Sequence, residues 1–129
     1  MRTPQYIATE DVQRACRELG IGDWSELQDA VVSLAEAQAV LAVVNVAGMP
    51  IQVEDFRGGL QVELEHGIRF EDADVTSNHP VLTGKIVLAH MKESLNYYRY
   101  LEVAELESDL VKATIAGDAT MLMAKHAKL

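Results

Sequence analysis

Four side chains in this sequence are of types that hold metals or move protons, at spacings a helix would bring together. Glu63 and His66 form an E-x-x-H, and His90 and Glu93 form an H-x-x-E. Residues three apart share a helix face, so each pair would project as one unit. An ionised carboxylate on an apolar face is costly unless it is paired or metal-bound. Converging Glu and His from facing helices build the di-iron and di-manganese sites of helical bundles. Imidazole with carboxylate suits zinc, iron, manganese or nickel. Glu63, His66, His90 and Glu93 are therefore expected as ligands of a divalent metal, whose bound water could act as a nucleophile. The additional bridging carboxylates of that pattern have no counterpart, because Glu10, Glu18, Glu26 and Glu36 are not on clear apolar stripes. A metal-free reading uses the same residues. Glu63 and His90 would form one buried hydrogen-bonded pair, with Glu93 and Tyr97 completing a structural network. His66 would then complement a helix C-terminus.

Other candidates carry less chemistry. His79 and His126 are expected in solvent, and the Met121 and Met123 pair as core filler. Helical angles choose Tyr97 over Tyr98 to face inward. Cys16 falls on an apolar face and reads as a buried, inert thiol. Asp72, Asp74, Thr76 and Asn78 resemble a calcium loop superficially, without its central Gly or terminal Glu. No phosphate loop or dinucleotide fingerprint is present, so no organic cofactor is indicated.

The elements that must position these groups read as helices. Thr9 can cap a first helix carrying Val12, Ala15, Cys16 and Leu19 on one face, with Gly20 as its left-handed stop. Ser25 and Gln28 have capping-box spacing. They predict a second helix to Ala47, with Leu27, Val31, Leu34, Gln38, Leu41 and Asn45 along one stripe. Its Ala39–Ala47 part is apolar nearly all round, as in a helix that is central in a core or buried between subunits. A third helix is expected over Val53–His66, stopped by Gly67. Glu63 shares the direction of Phe56 and Leu60 there, and Glu65 opposes it. A turn-rich stretch leads to Pro80, well placed to open a long helix reaching beyond Leu101. With Ile86 at its centre, His90 and Glu93 sit on the apolar side. Gly117 and Asp118 suggest a break and a short final helix.

The chain has 129 residues, one domain's worth, and can bury a core without staples. Its formal charge of −9 argues against phosphate backbones and anionic membrane surfaces as partners. The single cysteine excludes a disulfide framework. The N-terminus has no apolar leader, and the apolar run from Ala37 to Gly48 is too short to span a bilayer. A cytoplasmic protein is expected, with no nucleic-acid or membrane partner.

The stretch from Phe56 to about Glu105 resembles a family of short bacterial and phage proteins of unknown function. The resemblance rests on Phe56 and Gly59, then Glu63-Leu64-Glu65-His66-Gly67, then Val75-Thr76. It continues through Thr83-Gly84-Lys85-Ile86, Ala89-His90, Glu93, and the Tyr97-Tyr98 pair. It implies that the E-x-x-H and H-x-x-E segments belong to one unit, and it implies no activity. Ser94-Leu95-Asn96 departs from the acid-bearing segment of that pattern, and the apolar helix after Ser25 looks longer than the family's.

The expectation is a single all-α domain over residues 1–129, bundle-like, with about five helices and a family-like core near residues 53–105. Two functions are open. One is a small metal-binding protein, possible as a metalloenzyme, with its Glu/His site between two helices. The other is a non-enzymatic interaction or assembly protein in which the Glu–His network is structural. In either case Val40, Leu41, Val43, Val44 and Val46, which point in nearly every direction around their helix, predict a homo-oligomer, with a dimer favoured.

Overall fold

Caps and close approaches set the element boundaries. In the computed structural model, which describes residues 7–116, these are all helical and include no strand. The expected break at Gly117, the cap at Asp118, the Met121–Met123 pair and His126 lie outside the described residues. The chain forms two compact units, one through Leu95 and one from Asn96.

The first helix, α1, is Thr9–Leu19. It ends as expected on Gly20, at φ 70°, whose N–H bonds Arg17 while Ile21 N–H bonds Cys16. Thr9 is its first residue and not its cap, since extended Ala8 precedes it without a side-chain bond. Val12 and Cys16 are its buried residues.

The second helix begins later than its spacing suggests. Ser25 lies in a short 3-10 turn, Trp24–Glu26, and α2 is Leu34–Val44. The working capping box is Ser33 with Glu36, whose side chains bond each other's backbone N–H. Ser25 is held instead by Asp23, whose carboxylate accepts from the Ser25 N–H and hydroxyl. The helix stops at Asn45, well before Ala47. The Asn45 amide accepts from Met49 N–H and donates to Met49 C=O, closing the turn that follows. Its buried face is Ala37, Val40 and Val44, and the expected stripe through Leu34, Gln38 and Leu41 lies outside that set.

The third helix, α3, is Val53–Arg69, and runs through Gly67. Phe56, Gly59, Leu60 and Leu64 are buried, as the phase anchored on Phe56 and Leu60 requires. Gly67 lies in a tight spot: a Cβ there would stand 3.0 Å from Asp74 Oδ1. The fourth helix, α4, is Pro80–Glu93. Extended Ser94 ends it, and α5, Tyr97–Ala116, opens with Tyr100 N–H bonded to Asn96 C=O. The single long helix expected here is therefore two. Ser and Asn compete locally for backbone bonds and favour helix ends. In α5, Tyr97 and Tyr98 are both half-buried and meet edge to face at 5.0 Å.

In the unit through Leu95, α2, α3 and α4 pack on one another, and α1 packs on α4 and the first 3-10 turn. The point of closest approach is Gly84. A Cβ built there would lie 2.5 Å from Val40 Cγ1, 3.3 Å from Val44 Cγ1 and 3.5 Å from Phe56 Cζ. Three helices meet where this residue has no side chain. Gly84→Ala is expected to lower stability by about 1–2 kcal/mol, since overpacking outweighs the gain in helix propensity. Gly58 on α3 has nothing near a Cβ position. Gly58→Ala should therefore raise stability by about 0.5–1 kcal/mol. Urea unfolding of both variants checks the pair, and equal effects would contradict the packing.

Candidate functional site

Glu63 comes from the middle of the buried stripe of α3, so its carboxylate is drawn towards the core. Its side chain is 14% exposed. Facing it across the helix pair is His90 of α4, with Nδ1 3.4 Å from Glu63 Oε1. This is the meeting expected of two polar groups on facing helices, within ion-pair reach when the imidazole is protonated. His66 lies one turn along α3, with Nδ1 4.0 Å from Glu63 Oε2 and 59% of its side chain exposed. One carboxylate thus has an imidazole on each oxygen. Glu65 is exposed, as its angle demands.

Glu93 is not brought to this group. It is exposed at the last turn of α4. The reason is the phase of α4, whose buried residues are Pro80, Thr83, Gly84, Val87 and Met91. With Val87 at zero, these fall within about 60°, while His90 is near −60° and Glu93 near −120°. The stripe is centred on Val87, about a quarter-turn or more from Ile86. His90 therefore sits on the flank, 31% exposed, and Glu93 lies outside. Among the described residues, no three His, Cys, Asp or Glu side chains are grouped so that they could hold a metal ion.

The family model described as "Protein of unknown function (DUF5661)" matches residues 12–107. The chain belongs to this family. The DUF5661 match runs from within α1 through α4 to the first half of α5, a wider span than the motif region around Glu63 and His90. The apolar α2 is part of it. No curated protein and no solved structure matches the chain. No helix among the described residues is long and apolar enough to cross a membrane.

Two polar residues of this DUF5661 chain do more than their sequence positions suggest. Glu36 closes the α2 capping box and also accepts the Trp24 indole N–H at 2.8 Å. Partial burial alone would raise its pKa. The bonds from Trp24 and Ser33 outweigh that and hold it below the ordinary carboxylate value. The spacing Ser33-x-x-Glu36 was a usable signal, masked by the equivalent spacing at Ser25. The Trp24 backbone N–H also reaches buried Cys16 Sγ at 3.4 Å. Burial pushes the Cys16 thiol up, in line with an inert role.

His79 is not a solvated loop residue. It caps α4, its Nδ1 accepting from Val81 N–H at 3.2 Å and Leu82 N–H at 3.4 Å. Its position immediately before Pro80 was the available signal. Upstream, Asp74 Oδ1 accepts from the Thr76 and Ser77 N–H groups. Ser77 and Asn78 take left-handed backbone, at φ 52° and 64°. Asn78 donates to Trp24 C=O, while its Oδ1 is buried without a hydrogen-bond partner among the described residues.

The His79 cap requires a neutral Nδ1. Burial holds the imidazole below its ordinary pKa of 6.5, against an opposing pull from Asp11. The unfolded state then binds the proton first as pH falls, so this group subtracts stability below about pH 6.5, down through the folded pKa. His79→Asn keeps a capping acceptor without the titration. Urea midpoints between pH 7.5 and 5 should fall less steeply for His79→Asn than for the parent chain. Parallel curves would remove His79 from the acid response.

Proposed function

We propose that this DUF5661 domain is a non-enzymatic assembly unit that pairs with a second copy of itself through the solvent side of α2. Glu63 and His90 act in it as an internal structural pair. One observation carries the reading. Residues 37–53 contain no charged side chain, yet much of this segment faces outward. Gln38 and Ala42 are exposed, Val43 is 49% exposed, and Val46 in the following turn is 91% exposed. The solvent face of a surface helix ordinarily carries charge. Two chains of net charge −9 repel over most of their surfaces, and this face is where they approach without that cost. A two-fold pairing, the commonest closed form, brings the same uncharged patch onto itself.

Sedimentation over a concentration series tests it. The parent chain should dimerise, and Val43→Glu should weaken association by at least about tenfold, as expected for a charge placed in an interface. The helical signal of the variant should be unchanged, because Val43 lies outside the buried face of α2. A parent chain that stays monomeric at millimolar concentration refutes the proposal.

A second reading keeps a divalent metal on Glu63, His66 and His90, which are not grouped as a ligand set as they stand, so it requires both imidazoles to turn onto the carboxylate they flank. Glu93 would take no part in it, and water would complete the coordination. Elemental analysis of protein purified without a His-tag or chelator separates the two. The metal reading requires near one ion per chain, lost in His90→Ala. The assembly reading requires none.

A further inference from the structure

A groove away from the Glu63–His90 pair runs along α3, walled on its other side by the chain that enters α2, with a volume of about 550 Å³. This lies within the usual range of ligand pockets, about 300–1,000 Å³. The second wall is fastened to the helix, because buried Val32 gives its N–H to Gln61 Oε1 at 3.1 Å. At one turn the groove is open because Gly58 lines it with no side chain and nothing lies near its Cβ position. Its apolar surface comes from Ala30, Val31, Val62 and Ile68, with Val31 strongly exposed.

The charges at its edge are Asp29, Glu65 and Arg69. Glu65 and Arg69 are four apart with the acid first, the order that favours an ion pair on a helix. They do not pair. The Arg69 guanidinium lies over the Phe70 ring, 5.2 Å from its centre. Glu65 is left without a cationic partner among the described residues. Asp29 uses Oδ1 on Val31 N–H, and it forms no ion pair among the described residues. Two acidic residues and Arg69 thus line an apolar trough; with the guanidinium drawn onto Phe70, the trough keeps a net negative charge on a chain whose overall field also attracts cations.

We propose that this groove binds small organic cations in which an aliphatic body carries an ammonium group. The body lies on Val31, Val62 and Ile68, and the ammonium sits at Asp29 and Glu65. The test is amide chemical-shift titration of the ¹⁵N-labelled chain with three probes of equal length: n-hexylammonium, 1-hexanol and hexanoate. Hexylammonium should shift amides of residues 28–31 and 58–69 saturably, with hexanol about five- to tenfold weaker and hexanoate inactive. Glu65→Gln with Asp29→Asn should bring hexylammonium down to the level of hexanol, with the urea midpoint retained. Gly58→Leu should block all three by filling the open turn, with the helical signal intact. Equal shifts from hexanoate, shifts that do not saturate, or binding unchanged in Gly58→Leu would each overturn the proposal.

Discussion

The packing of the unit through Leu95 turns on the space that Gly84 leaves. Valines of α2 and the Phe56 ring of α3 occupy the volume where a side chain would stand. Close approach at this one position fixes the rotation of α4 about its own axis. That rotation places Val87 and Met91 in the core, His90 on the flank and Glu93 in solvent. The electrostatics of the Glu63–His90 pair thus follow from a steric fact. His90 is close enough to accompany a carboxylate taken from water, while 31% of its side chain stays exposed.

Capping organises the rest of that unit in a similarly economical way. Glu36 belongs at once to the start of α2 and to the Trp24 turn. His79 opens α4 and Asn45 closes α2. Glu36 and His79 satisfy backbone N–H groups at helix starts, and Asn45 satisfies both backbone groups of Met49 in the turn after α2. In each case a single side chain joins local structure to neighbouring chain. The Asp74–Asn78 turn lies close against α3 at Gly67, where a Cβ would press on the Asp74 carboxylate.

The sequence was most legible where large apolar side chains mark a stripe. Phe56, Leu60 and Leu64 set the phase of α3, so the inward Glu63 and outward Glu65 could both be read from it. The all-α class and the meeting of Glu63 with His90 followed. On α4 the reading centred on Ile86, because the real contact surface includes Gly84 and Thr83, which carry little hydrophobic signal. Glu93 was placed inward for that reason. On α2, two capping-box spacings competed. Ser33 and Glu36 prevail, with Glu36 also engaged by the Trp24 indole from outside the helix, which periodicity does not register. His79 was passed over because imidazole is an uncommon cap beside Ser, Thr, Asp and Asn.

The Trp24–Glu36 bond has a spectroscopic consequence. The chain contains one tryptophan, and it is buried, with its indole N–H held by the carboxylate that caps α2. All indole emission from the protein therefore originates at the joint between the first 3-10 turn and α2. It reports the opening of that joint, while the far-ultraviolet signal reports the helices as a whole. The molecule carries a local optical probe at the place where its N-terminal segment is fastened to the helical core.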